Sequence, residues 1–337
     1  MREHLGFFKS LLDHMREDLV QGGGASFEDL LNVLQFSFAM NFDDNGLWAR
    51  LYEALDAELL RPTNKLQELM KFLSVLENLE LAQTEEGGDP MLSVEQLYTL
   101  RTKSMNTVSL QLRSKESELS TKQLVDLLRL ALKHIRSQDQ LFEMFDEVLS
   151  ERVSSSGMSN EEFSAILEVV ADHNQSCPQG QEVTLQMVCL EGEEYAKKNL
   201  TSMERSEFLA VVGGYSTSGV MGQLKDLQIV FENETRGRLS TLAPQEIVYL
   251  VRIFSQAESA SPEFYAIMDK HIGLHLSGGK NLEPTLLFPL LKSFYDSGHA
   301  RPKLFIKLQQ VVVNSLASLE TNEVCALLRL YAEMEIQ

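Results

Sequence analysis

One pattern recurs along this 337-residue chain and constrains its fold more than any other feature. A polar opening is followed by one apolar residue, and an apolar pair follows three and four positions later. Because positions i, i+3 and i+4 share one face of a helix, each copy predicts an amphipathic helix. The first apolar residues are Leu30, Leu124, Phe163, Phe208, Ile247, Leu287 and Val324, and from Leu124 onward they are 39, 45, 39, 40 and 37 residues apart. The pairs are Val33–Leu34, Leu127–Leu128, Ile166–Leu167, Val211–Val212, Leu250–Val251, Leu290–Leu291 and Leu327–Leu328.

A second helical pattern follows several of these copies. It opens with two large apolar residues and places another four positions after the first of them; its copies begin at Leu47, Leu141, Phe264 and Leu304. The unit is therefore two antiparallel helices of about 40 residues in all. One such hairpin cannot bury its apolar face alone, whereas stacked neighbours share a continuous core. The predicted fold is all-α: an α-solenoid, or armadillo-like stack of antiparallel helix hairpins.

Start signals mark several of the predicted helices. Ser and a Gln or Glu three residues later have the spacing of a capping box, and a proline in the first turn costs no hydrogen bond. The candidate capping pairs are Ser93 with Gln96, Ser120 with Gln123 and Ser159 with Glu162, and the candidate first-turn prolines are Pro244 and Pro284.

Some segments depart from the regular repeat. Residues 66–82 predict another helix, and the polar stretch 83–92 is the best candidate for a boundary or a long loop. The predicted organisation is N-terminal hairpins over 1–82, a polar spacer over 83–92 and a repeat array over 93–337. We expect Gly213–Gly214 to break or shorten a helix and Pro289 to bend one.

The charge of the chain bears on whether it binds nucleic acid. The formal net charge is −19, so the average field repels phosphate groups. One stretch, 101–136, is positive instead. We interpret it as a solvated helix face, and the alternative is an RNA contact. Its basic residues are Arg101, Lys103, Arg113, Lys115, Lys122, Arg129, Lys133 and Arg136.

Candidate sites for chemistry are few. Residues 41–46 open like a calcium loop, but the twelfth position is Tyr52 instead of a bidentate Glu, so we predict a turn between helices. His271 and His275 are one helical turn apart but have no third ligand in the pattern, and a structural role is favoured. The glycine-rich stretches 20–26 and 277–281 have no phosphate-loop spacing. We therefore predict no metal, no cofactor and no catalytic constellation, and expect the chain not to be an enzyme.

Cysteine usage indicates the compartment. Cys177, Cys189 and Cys325 have no metal-binding spacing and cannot all pair with each other, which favours a reducing intracellular environment. Cys325 lies within a helical pattern and is predicted to be buried. No apolar run reaches the roughly 18 residues of a membrane span.

The segments "TKQLVDLLRLAL", "PQEIVYLVRIF" and "NEVCALLRLYA", with their neighbouring helices, resemble known organellar repeats. They are similar to the helical arrays of the FAST-kinase-domain and RAP-domain proteins and of octotricopeptide-type proteins. The resemblance covers residues 115–337 and, more weakly, 26–60. It implies a mitochondrial location, with a cytoplasmic one as the alternative.

Two functions follow from these observations. The first is a non-catalytic scaffold that binds protein partners as an accessory subunit of a larger assembly, because a solenoid presents an extended surface that is ordered before binding. The alternative is an organellar RNA-binding repeat protein that acts in RNA processing or translation.

Overall fold

The computed structural model describes residues 26–39, 45–59, 66–86, 92–115, 119–134, 139–155, 157–177, 182–257, 260–277, 283–319 and 321–334. These residues form α-helices and three short 3-10 turns, and no β-strand occurs among them. The α-helices are α1 Phe27–Ala39, α2 Asn45–Glu58, α3 Leu66–Glu86, α4 Val94–Lys115, α5 Thr121–His134, α6 Asp139–Ser154, α7 Asn160–Ser176, α8 Gln186–Glu191, α9 Glu193–Asn199, α10 Arg205–Thr217, α11 Lys225–Arg238, α12 Pro244–Gln256, α13 Pro262–Ser277, α14 Pro284–Asp296, α15 Pro302–Ser315 and α16 Thr321–Glu333. The all-α prediction is confirmed, and every helix that the repeat predicts is present.

The chain forms two compact units, Met1–Val148 and Leu149–Gln337. In the first unit, α3 packs against α1 on one side and α5 on the other. A second layer is formed where α2 packs on α4. The helices therefore alternate between two layers along the chain, which is the arrangement of stacked hairpins.

The second unit repeats this arrangement over a longer stretch. Its first helices pack in chain order, α7 on α10, α10 on α12, α12 on α14 and α14 on α16. The second helices pack less extensively on each other, through α9 with α11 and α13 with α15. The layer of first helices is thus the more closely packed of the two.

The predicted capping pairs are confirmed by their hydrogen bonds. The Glu162 backbone N–H donates to Ser159 Oγ at 3.2 Å, and the Ser159 N–H donates to Glu162 Oε2 at 3.0 Å. Ser120 with Gln123 and Ser93 with Gln96 form the same reciprocal pair. Pro244 and Pro284 are the first residues of α12 and α14, as predicted.

The repeat positions form the core. From the first copy to the sixth, the first apolar residue and both members of the pair are buried. Aromatic side chains fill the space between the layers, and Tyr331 is half-buried. The fully buried ones at repeat positions are Phe163, Phe208, Phe254 and Phe294.

The prediction for Gly213–Gly214 is wrong. Both residues are helical and buried inside α10, with no break. A Cβ at Gly214 would lie 2.5 Å from Leu167 Cβ and 2.9 Å from the Leu167 carbonyl oxygen on α7. Gly214 therefore allows the backbones of α7 and α10 to approach closely, and this packing outweighs the lower helix propensity of glycine.

The predicted burial of the last helix is also wrong in part. Leu327 is buried, but Leu328 is 65% exposed, Val324 is half-buried, and Cys325 is exposed. The reason is geometric, since no described helix packs on the outer face of α16.

Several predictions concern segments that are described only in part. Residues 83–86 of the predicted spacer are helical and prolong α3, and 87–91 lie outside the described residues. Because α3 packs directly on α4, the stretch joins two helices of one hairpin in the first unit. The boundary that the sequence places there stays a prediction.

The turn predicted at 41–46 also lies mostly outside the described residues. Its described end is helical, because α2 begins at Asn45. Leu47 and Trp48 enter the core of the first unit as predicted, and both are buried. Pro289 lies inside α14.

The close approach at Gly214 is testable with a matched pair of substitutions. Gly214→Ala forces α7 and α10 apart and is expected to lower the free energy of unfolding by about 2 kcal/mol or more. Gly237→Ala adds the same methyl group on an exposed face of α11, with nothing within 4 Å. It is expected to stabilise by about 0.5 kcal/mol through the lower entropy of the unfolded chain. Urea unfolding of both variants measures the difference, and similar values would contradict the packing account.

Candidate functional site

The basic stretch that the sequence singled out is described only in part. Arg101 on α4 pairs with Glu80 on α3 at 2.9 Å. Lys103 pairs with Asp56 on α2 at 2.5 Å. Both cations therefore join helices within the first unit.

Two further members of the stretch have described side chains. Lys122 is exposed on α5, and Arg129 pairs with Asp126 of the same helix at 3.4 Å. Arg136 and the side chains of Arg113, Lys115 and Lys133 lie outside the described residues.

The histidine pair is placed on one helix, α13. His271 is half-buried, and the side chain of His275 is outside the described part. Within the described ranges, no group of three His, Cys, Asp or Glu residues could hold a metal ion.

The second unit contains a groove lined by described residues. Its volume is about 420 Å³, and it runs across three successive first helices, α7, α10 and α12. Polar side chains from all three helices line it. They are Glu168, Asp172 and Gln175 from α7, Arg205 and Ser206 from α10, and Gln245, Glu246 and Tyr249 from α12.

A hydrogen-bonded chain orders the floor of the groove. Arg252 donates to Gln175 Oε1, and Gln175 Nε2 donates to the Tyr249 hydroxyl at 3.3 Å. Burial raises the pKa of Tyr249, and the neighbouring carboxylate of Asp172 adds to the effect. The phenol is therefore neutral at physiological pH and retains a proton that it can donate.

A second interaction links α10 to α12 at the groove. Arg205 Nε lies 3.2 Å from Glu246 Oε1. The other oxygen of Glu246 accepts a hydrogen bond from the Ala243 backbone N–H at 2.7 Å, which caps the start of α12. One carboxylate thus fixes both the helix start and the position of Arg205.

Gly213 makes the floor possible. A Cβ at Gly213 would overlap the Tyr249 hydroxyl and would lie 3.2 Å from Tyr249 Cζ. The tyrosine ring of α12 therefore reaches across α10 only because residue 213 has no side chain. The two glycines therefore have different roles. Gly214 leaves room for the backbone of α7, and Gly213 leaves room for the Tyr249 hydroxyl.

The lining of the groove carries more acidic than basic side chains. Glu168 and Asp172 are exposed and one turn apart on α7. The cations near them are Arg205, which pairs with Glu246, and Arg252, which donates to Gln175 in the floor. Together with the Tyr249 donor, this surface suits a basic or hydrogen-bonding segment of a protein. Sequence reasoning missed the groove, because its residues come from three repeats and share no local motif.

The role of Gly213 predicts coupling between two substitutions. Gly213→Ala is expected to lower the free energy of unfolding by about 1–3 kcal/mol, since the new methyl displaces the Tyr249 hydroxyl. In a Tyr249→Phe background the hydroxyl is gone, and the cost of Gly213→Ala is expected to fall by at least about 1 kcal/mol. A double-mutant cycle by urea unfolding measures this coupling, and strictly additive effects would contradict the contact.

Comparisons with known proteins place the chain in no family. No protein-family model matches it, and no curated protein matches it. Among solved structures it is similar to a "Circular tandem repeat protein with novel repeat topology and enhanced subunit contact surfaces". That match has a TM-score of 0.33 and 15% sequence identity, and it covers 97% of this chain and 75% of the other.

Proposed function

We propose that this chain is a non-catalytic helical-repeat scaffold that binds protein partners as an accessory subunit of a larger assembly. The observation that carries the proposal is the acidic groove across α7, α10 and α12. A stack of rigid hairpins presents such a surface already ordered, so a partner loses little affinity to ordering of the scaffold.

The polar groups of the groove favour recognition over chemistry. Glu246 is occupied by Arg205 and the start of α12, and Gln175 is held between Arg252 and Tyr249. The raised pKa of Tyr249 moves it away from the range of a general base at neutral pH. These groups hold a fixed surface and suit positioning of a bound segment.

Protein is preferred to RNA as the partner. Of the basic stretch, Arg101 and Lys103 are engaged with carboxylates, and the groove itself carries exposed acids. Phosphate groups would be repelled there and attracted only weakly elsewhere. The RNA-binding alternative rests on the resemblance and on Lys122 and Arg129 at the surface.

The location is a further proposal. We infer a reducing compartment, and the resemblance to organellar repeats favours the mitochondrion over the cytoplasm. Among the described helices none is long and apolar enough to cross a membrane.

The proposal predicts that the chain migrates in a native extract as part of an assembly well above its own 38.1 kDa. Glu168→Gln with Asp172→Asn is expected to weaken that assembly by roughly tenfold or more, because two close charge pairs across the interface would be lost. The control is Asp226→Asn with Glu263→Gln, which removes the same charge from exposed positions on α11 and α13. Size-exclusion chromatography and quantitative co-purification measure both variants.

Two results would contradict the proposal. One is a chain that migrates only as a free monomer in fresh extract. The other is tight RNA retention in a filter-binding titration at low salt, where phosphate contacts are strongest, together with its loss in a Lys122→Ala, Arg129→Ala variant.

A further inference from the structure

The groove across α7, α10 and α12 carries two carboxylates that no described residue neutralises. Glu168 and Asp172 are exposed, and neither forms an ion pair with a described residue. They lie four positions apart on α7, a spacing at which like charges destabilise a helix. The pair therefore carries an electrostatic cost in the isolated chain, which a cation bound between the two carboxylates would remove.

The cations described at this groove are both arginines, and each is already engaged. Arg205 presents its guanidinium to Glu246, and Arg252 presents its guanidinium to the side-chain oxygen of Gln175. The groove therefore accommodates guanidinium groups of its own chain at two places. The acids of α7 are the part of the lining that remains for a cation from outside.

Apolar side chains lie beside these acids. Leu209 is half-buried, Ala171 and Ala210 are buried, and all three line the groove. Its volume of about 420 Å³ falls within the range of about 300–1,000 Å³ that is usual for pockets that hold a small ligand. This combination suits a long side chain with an apolar stem and a cationic head, because such a stem packs on apolar surface while its head keeps polar partners.

Arginine fits this groove better than lysine does. A guanidinium carries five N–H donors in a planar fork and can bond two carboxylate groups at once, whereas an ammonium is a compact, strongly hydrated point charge. Charge-assisted bonds of the bidentate kind are also the stronger ones. Because a guanidinium is more weakly hydrated, it loses less on entering a groove that is partly apolar.

We propose that the groove binds an arginine side chain in a segment of a partner protein, with its guanidinium between Glu168 and Asp172 and its stem against Leu209. This inference rests on the proposed scaffold function and names the residue type that the groove recognises. The Tyr249 hydroxyl, which accepts a hydrogen bond from Gln175, donates one to a backbone carbonyl of the same segment. A second copy of this chain is disfavoured as the partner, because each copy carries a formal charge of −19.

The first measurement selects peptides from a displayed random library on the purified chain. The selected peptides are expected to be enriched in arginine at least about threefold more than in lysine. Glu168→Gln with Asp172→Asn is expected to abolish that enrichment, whereas Asp226→Asn with Glu263→Gln, which removes the same charge from exposed positions elsewhere, is expected to retain it. Equal enrichment of lysine, no enrichment, or enrichment that survives in the groove variant would overturn the proposal.

The groove substitutions are expected to leave the isolated chain folded. Both positions are exposed, and each change removes one of two neighbouring like charges. The urea midpoint of Glu168→Gln should therefore be no lower than that of the unchanged chain. A clearly lower midpoint would show that Glu168 stabilises the chain itself and would overturn its assignment to a partner.

The second measurement uses the native assembly. A photo-crosslinking residue in place of Ser206, which is exposed on the groove lining, is expected to join a partner segment that contains an arginine. The control is the same residue in place of Ile229 on α11, which is 56% exposed and outside the lining and is expected to give no such product. Replacing that arginine of the partner by lysine is expected to weaken co-purification at least about threefold.

The outcomes in the assembly separate this inference from the scaffold function. If the chain remains in its assembly while position 206 crosslinks to a segment without arginine, or to no protein, arginine recognition in the groove is refuted and the scaffold function still stands. A chain that is monomeric in fresh extract would refute both.

Discussion

Each unit depends on one kind of contact, the packing of a first helix against the first helix of the next hairpin. At α7 and α10 this contact brings Leu167 against the bare backbone of Gly214. Buried apolar side chains stabilise the layer by roughly 1.5–3 kcal/mol each relative to exposure. A single hairpin could not obtain that burial, so each repeat is stabilised by its neighbours.

Polar contacts keep the stacked helices in register. Ser255 Oγ donates to the Ser293 carbonyl at 2.8 Å between α12 and α14, and Gln245 Nε2 donates to Glu283 Oε1 at 3.0 Å at the opposite end of α12. Arg238 of α11 donates to the carbonyls of Leu200 and Met203, each at 2.9 Å. Such directional bonds contribute modestly to net stability, but they fix the relative positions of the elements that they join.

The sequence allowed the helices to be predicted because their signals are local. Capping pairs such as Ser159 with Glu162, and the spacing of one apolar residue and an apolar pair, lie within one or two turns. The predictions that failed concern residues whose environment is set by side chains distant in the sequence. Gly213–Gly214 has the local signature of a helix break, yet α7 and Tyr249 both require glycine there.

The same dependence on distant neighbours explains why the exposure of the last helix and the position of the groove could not be predicted. Cys325 and Leu328 belong to a regular pattern, and only the absence of a described helix over α16 makes them exposed. The groove could not be predicted, because Asp172, Arg205 and Tyr249 are brought together by stacking across 77 residues of sequence.

The central claim is that within each unit the first helices form a cooperative layer, in which the inner helices are covered on two sides by their neighbours. Amide hydrogen exchange measured by mass spectrometry tests it directly, because protection reports the local free energy of opening. We expect α10 and α12, each covered on two sides, to exchange more slowly than the second helices α11 and α13, and α16 to be the fastest of the first helices in its unit. Equal protection of the two layers, or an α16 as protected as α12, would contradict the account.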